Sequence, residues 1–382
     1  MLTRIAVLVI AVLPFCFAAR ETRVARCVTA PPSAGYESRL EQIGSRLCVQ
    51  GGTGYVLLEN YIVGLTGRDM DAPNGWRIVV VAVRSDSLAV VGAMSVHRVD
   101  ENPFGLVCTP DAVYLNANGS LMVLSPGLTT KQELNLPQKG VPYALVGTAS
   151  DQYVMTEAIY DRQDVVTLFR KGTLQMVYRA TFDARPLPPY PLTDIEIGLS
   201  RLGAATIAAP TLLLAQFERH IAALEVGPEA KLKLLPLVTD KPPLVCGNWI
   251  VGVGTGDLQM MTSDYKKAHN WTNAEDYRLI DATCVQGRSL VAYGVKVHLG
   301  LLHNTISDSR LFKLDLETMQ ESASPEKIGH VPTPPLRPQR RAWIVQPTSL
   351  YLDQDMGAVA YDPDHGNYLV TDGTRVCSVD AF

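Results

Sequence analysis

The chain has 382 residues, 47% hydrophobic and 19% charged, with a formal net charge of −4. That composition excludes intrinsic disorder and leaves ample length for a core. The slightly acidic balance carries no electrostatic footprint for nucleic acid or for an anionic membrane surface.

Residues 1–18 read as a signal peptide. Arg4 supplies the positive region, and residues 5–17 form an apolar run too short to span a bilayer. Cys16-Phe17-Ala18 places small residues at the −3 and −1 positions of a cleavage site. No later apolar run reaches spanning length, so an exported chain without a membrane span is expected. Residues 19–47 form an N-terminal arm. Within it Leu40, Ile43 and Leu47 recur at i, i+3 and i+7, which predicts a short helix at the domain entrance.

Seven cysteines are present. Cys16 leaves with the signal, and Cys27, Cys48, Cys108, Cys246, Cys284 and Cys377 remain. An even number in an oxidising compartment favours disulfides. Asn118-Gly-Ser and Asn270-Trp-Thr are glycosylation acceptors in a eukaryotic secretory pathway.

From residue 48 to 382, short apolar strands alternate with Gly, Pro, Asp and Asn breaks. Residues 77–83 and 87–92 are rich in β-branched residues and are broken by Arg84-Ser-Asp. Residues 112–115 and 120–124, joined by Asn116-Ala-Asn-Gly119, read as a hairpin. Leu214, Phe217, Ile221 and Leu224 would line one face of a helix. They also divide into two strands around Glu218-Arg-His220, and the neighbouring pattern favours the hairpin. Repeating units fall near 48–98, 104–138, 142–183, 194–239, 243–281, 283–332 and 343–382. The expected fold is therefore all-β: a β-propeller of seven blades, within a range of five to seven, with two tandem sandwiches as the alternative.

Cys48, Cys108, Cys246 and Cys284 each fall in the opening strand of a unit, which in a propeller lines the central channel. Cys48–Cys108 and Cys246–Cys284 would then link neighbouring blades, and Cys27–Cys377 would tie the arm to the last one. Spacing alone leaves the connectivity open.

Catalytic motifs of the HExxH or GxSxG type are missing. Asp353-Gln-Asp355-Met-Gly357 and Asp362-Pro-Asp364-His-Gly366 alternate acids before a glycine, as calcium loops do, but lack the later acidic ligands. They read as polar turns. Gly252-Val-Gly-Thr-Gly256 has no helix pattern after it and reads as a glycine turn rather than a phosphate loop. His298 and His303 would face opposite sides of one strand.

Thr193-Asp194-Ile195-Glu196, with Gly203, resembles the Thr-Asp-Ile-Asp…Gly stretch of olfactomedin domains. Residues 282–290, around Cys284, are similar to that family's Cys-Gly-x-Leu-Tyr strand. Tyr361-Asp-Pro363, Tyr368 and Asp372-Gly373 through Phe382 are similar to its closing segment. The resemblance implies an extracellular, protein-binding, five-bladed propeller with a buried calcium ion. Carried over by position, the calcium ligands would be Asp194, Glu196 and Asp281. Glu196 replaces an Asp, Asp281 replaces an Asn, and Ala360 stands where the family has a further Asp. The resemblance also implies a bond between an N-terminal cysteine and Cys284.

The expected function is recognition of an extracellular protein or glycan through the loop faces of a rigid scaffold. The alternative is a secreted propeller enzyme acting on glycans as a hydrolase or lyase.

Overall fold

The computed structural model describes residues 25–29, 40–62, 76–97, 105–117, 120–135, 141–146, 153–160, 163–183, 202–209, 212–217, 220–225, 231–241, 243–254, 256–273, 275–298, 305–324, 326–328, 357–371 and 375–382. Among them every regular element is a β-strand, and the strands form seven antiparallel sheets of four. The first sheet is β2 (Leu40–Gln50), β3 (Thr53–Ile62), β4 (Trp76–Arg84) and β5 (Val90–His97). The second is β6 (Gly105–Cys108), β7 (Val113–Ala117), β8 (Ser120–Leu124) and β9 (Thr130–Asn135). The third is β10 (Val141–Val146), β11 (Tyr153–Tyr160), β12 (Gln163–Arg170) and β13 (Met176–Asp183). The fourth is β14 (Leu202–Ala209), β15 (Leu212–Phe217), β16 (His220–Glu225) and β17 (Lys231–Val238).

The fifth sheet is β18 (Leu244–Cys246), β19 (Trp249–Val253), β20 (Asp257–Thr262) and β21 (Ala268–Thr272). The sixth is β22 (Arg278–Val285), β23 (Ser289–His298), β24 (Thr305–Asp315) and β25 (Glu321–Ala323). The last contains β26 (Ala358–Asp362), β27 (Asn367–Thr371) and β28 (Arg375–Asp380), and its fourth strand is β1 (Arg26–Thr29) from the arm. The opening strands follow one another in a cycle: β2 lies against β6, then β10, β14, β18, β22 and β26 follow in turn, and β26 returns to β2. This is a β-propeller.

The short helix expected near residues 40–47 is replaced by β2. Leu47 pairs with Val56 and Cys48 with Tyr55. A complete β partner overrides a helical spacing carried by three residues. The first sheet therefore begins in the stretch assigned to the arm. The hairpin reading of residues 212–225 holds, with Phe217 paired to His220 across the turn.

Burial explains the strand composition. Val79 to Val83 are all within 3% exposure. Val80 and Ala82 pack toward Leu106, Val113, Leu115 and Leu124 of the second sheet. Val79, Val81 and Val83 pack toward Leu369 and Val376 of the last. A middle strand is thus covered on both faces and reads as a continuous β-branched run. The outermost β9 alternates exposed and half-buried positions instead.

The turn between the third and fourth strands recurs in one form. Leu88, Leu128, Leu174 and Met319 adopt φ of 59°, 63°, 51° and 56°. Their amides bond back to the carbonyls of Arg84, Ser125, Arg170 and Asp315. The three leucines are buried, each between its own sheet and the preceding one, and Met319 packs in the same position. A left-handed non-glycine residue costs about 1–2 kcal/mol. Burying a leucine contributes about 1.5–3 kcal/mol, enough to offset it.

Cys48 is bonded to Cys108, Cys246 to Cys284, and Cys27 to Cys377. The first two bonds join opening strands of adjacent sheets. The third crosses β1 and β28 at directly paired positions. The pairing of Cys284 with an N-terminal cysteine is thereby corrected: β18 lies beside β22 and supplies Cys246 instead.

Candidate functional site

The two ends of the ring differ. At one end the turns are short and bonded to each other: the amides of Ser85, Ser263 and Leu316 donate to the carbonyls of Gly52, Asn248 and Arg288. The Cys48–Cys108 and Cys246–Cys284 bonds lie beside these turns. By topology, connections from second to third strands and from sheet to sheet leave at the opposite end. They include the longest ones, residues 63–75, 184–201 and 329–356.

The most connected polar group at the turn end joins the first sheet to the last. The Ser85 hydroxyl donates to the Asp362 carboxylate. His365 Nδ1 stands 2.7 Å from Asp362 Oδ2 and 2.9 Å from Ser85 Oγ, and its Nε2 is 3.9 Å from Asp86 Oδ2. Asn367 donates to the Ser85 carbonyl at 3.0 Å and to Ser378 Oγ at 2.8 Å. Gly52, at φ +65°, makes room: a Cβ there would lie 2.5 Å from His365 Cε1.

Ser85, His365 and Asp362 are the residue types of a hydrolytic triad, but the geometry is wrong for one. A relay needs hydroxyl and carboxylate on opposite nitrogens of the imidazole. Here both approach Nδ1, and Ser85 and Asp362 are fully buried. Burial would raise the Asp362 carboxyl. Hydrogen bonds from Ser85, His365 and the Asp364 amide outweigh it and hold the group below the usual carboxylate range. The group is a polar tie at the ring closure.

The second polar group lies on the sixth sheet at the end of the long connections. Tyr277 precedes β22, Lys296 is near the end of β23, Asp308 and Arg310 are near the start of β24, and Lys327 follows β25. The Tyr277 hydroxyl donates to Asp308 Oδ2 at 2.7 Å. Arg310 Nη2 and Lys327 Nζ each approach the same oxygen at 3.2 Å. Arg310 Nη1 is 3.7 Å from Glu275 Oε2. Lys296 Nζ stands 4.7 Å, and Arg310 Cζ 5.4 Å, from the centre of the Tyr277 ring. Burial, then the bond to Asp308, pushes the Tyr277 phenol well above its usual range. Burial opposes ionisation of Asp308, but Tyr277, Lys327 and Arg310 prevail and hold it low. The Lys327 side chain remains 43% exposed and that of Glu275 48%, so this corner reaches solvent.

Of the proposed calcium ligands, Asp194 and Glu196 lie outside the described residues. Asp281 is half-buried beside a bulge in β22 and accepts the Val359 amide at 2.9 Å, pinning β26. Among the described residues no three His, Cys, Asp or Glu side chains gather as a metal site. Asn270 is exposed on β21, and Asn118 lies outside the described residues. Residues 362–366 form a tight turn in which Asp362 accepts the Asp364 and Gly366 amides. Asp353 and Asp355 are outside the described residues, as is His303. Gly252 lies within β19, and Gly254 donates to the Asp257 carbonyl in the following turn. Among the described residues no helix is long and apolar enough to cross a membrane. Sequence reasoning missed Ser85, His365, Tyr277, Asp308, Arg310 and Lys327. The Asp362-x-x-His365 spacing was the one local signal.

No family model matches the chain, and no curated protein matches it. Solved structures do. Virginiamycin B lyase from Staphylococcus aureus, as an inactive variant with quinupristin, is 9% identical over 94% of this chain and 99% of its own, with a TM-score of 0.50. The extracellular domain of a hybrid two-component system from B. thetaiotaomicron is 8% identical over 93% of this chain and 40% of that one, with a TM-score of 0.49. The C-terminal WD40 domain of Sif2 is 7% identical over 94% and 99%, with a TM-score of 0.42. At these identities the likeness concerns the fold alone.

Proposed function

We propose that this chain is a secreted recognition module, a seven-bladed propeller that binds an extracellular protein or glycan through the face of long connections. One observation carries the reading: the two ends are built differently. One is sealed by short turns, two disulfides and a buried polar tie. At the other, the described strands that flank the longest connections end, and a charged corner reaches solvent. A rigid scaffold with variable connections at one end is the usual arrangement for recognition. Three disulfides suit an oxidising compartment. The closed cycle of opening strands supports seven blades rather than the five that an olfactomedin domain implies. The Ser85–Asp362–His365 geometry gives no support to the enzymatic alternative.

The test is a binding screen of the secreted protein against a panel of purified extracellular proteins and glycans. A saturable binder is expected. A panel without one, or a binder that cross-links only to the short-turn end, overturns the reading.

A further inference from the structure

Neighbouring sheets of the ring are tied by disulfides and polar bonds. Cys48–Cys108 joins the first sheet to the second, Cys246–Cys284 the fifth to the sixth, and the Ser85–Asp362 bond the last to the first. Gln259 accepts the Val238 amide at 2.8 Å between the fourth and fifth, and Asp281 accepts the Val359 amide between the sixth and the last. Between the second and third sheets, the ties among the described residues lie at the turn end. Gln132 Nε2 donates to the Thr173 carbonyl at 3.4 Å, and the Gly172 amide bonds the Tyr114 hydroxyl. One layer further in, toward the long connections, Asn116 and Thr167 are 0% and 3% exposed. Among the described residues, Asn116 Nδ2, Asn116 Oδ1 and Thr167 Oγ1 have no hydrogen-bond partner.

Both side chains point into the same space. Side chains alternate along a strand, so Asn116 shares the face of Tyr114, and Thr167 that of Phe169. Asn116 pairs with Leu121, and Thr167 with Thr156, in unbroken registers. Tyr114, Leu121 and Val123 of the second sheet and Phe169 and Leu174 of the third form one buried cluster. Those walls are apolar and offer no counter-ion, so a charged group is excluded from the space between them. The groups left over are neutral and include both donors and acceptors. Turning the Asn116 amide over exchanges Nδ2 and Oδ1 and satisfies neither. Buried polar groups are costly to leave unpaired and are nearly always satisfied. We infer that this junction is a binding site for ordered water, which bonds to Asn116 and to Thr167 and ties the third sheet to the second. Water is neutral, donates and accepts, and is small enough to be fully enclosed. The site is independent of what the long-connection face binds.

The experiment is high-resolution crystallography of the whole secreted protein and of Thr167→Val, paired with thermal melts of both. Water density is expected within hydrogen-bond distance of the Asn116 amide group and of Thr167 Oγ1, and the water at residue 167 should be lost or displaced in the variant. Thr167→Val keeps the branched shape and removes the hydroxyl, so it strips a partner from bound water. Its melting temperature should fall by about 2 °C. A dry, unpaired hydroxyl predicts the opposite sign, because the apolar replacement then removes a buried group that bonds nothing. A melting temperature that holds or rises overturns the inference. So does a structure of the unaltered protein in which either side chain bonds a protein group instead, or meets no water density. If Thr167→Val fails to fold, the structure of the unaltered protein decides alone.

Discussion

The Ser85 hydroxyl donates to the carboxylate of Asp362, a residue 277 positions later in the chain. This bond joins the first sheet to the last inside a fully buried site. Asp362→Ala leaves the Asp364 amide without its acceptor and the Ser85 hydroxyl with the Gly52 carbonyl, at 3.1 Å, as its remaining oxygen acceptor. A loss of about 1–3 kcal/mol in unfolding free energy is expected. Ser85→Ala removes one donor from a buried charge and should cost an amount in the same range. Denaturant titration of both variants measures this. Unchanged midpoints would show that the tie is ornamental.

The same carboxylate sets an acid dependence. Its folded-state pKa is depressed. Such a group contributes stability that is present above its unfolded value of about 3.9 and is lost as pH falls through the folded value. Asp308 acts in the same direction. The stability gap between the native protein and Asp362→Asn should therefore be constant near neutrality and shrink below about pH 4. Melting temperatures across an acid series test the sign. A gap that widens on acidification contradicts it.

Position 128 distinguishes backbone strain from packing. Leu128 is 5% exposed and has φ of 63°. Leu128→Ala should destabilise by about 2–5 kcal/mol through loss of the buried side chain. Leu128→Gly should be at least as stable as Leu128→Ala, because glycine enters the left-handed region freely. At an ordinary strand position the order would be reversed. Parallel urea titrations compare the two.

Much of the ring was legible in the sequence, for a definite reason. Cys48, Cys108, Cys246 and Cys284 head their units, and the geometry of adjacent opening strands leaves each a partner next door. The hairpin at 212–225 followed from its strand-rich neighbours. The helix at residues 40–47 did not form, because three apolar residues at helical spacing carry no information about the strand waiting at residues 53–62. The recurring turn was hidden for the opposite reason. Leu88, Leu128 and Leu174 occupy a backbone region that leucine avoids, so no local rule points to them. Ser85 and Asp362 meet only through closure of the ring. Tyr277, Asp308, Arg310 and Lys327 come from a connector, a strand and the next connector, and no linear spacing links them.

The disulfides should differ in weight. Cys27 and Cys377 are separated by 350 positions, Cys246 and Cys284 by 38. On loop-closure entropy alone, replacing the first pair by serines should cost about 2 kcal/mol more than replacing the second. Unfolding of the two double variants under non-reducing conditions checks this. Equal losses would mean that pairing of β1 with β28 already closes the ring without the bond.

The most direct test of the account is hydroxyl-radical footprinting of the secreted protein, free and bound to the partner recovered from the extracellular panel. The account predicts protection at Glu275, Lys296 and Lys327, with the turns at 85–89, 125–129 and 263–267 unchanged. Protection confined to those turns, with the Tyr277 corner as reactive as in the free protein, would contradict it.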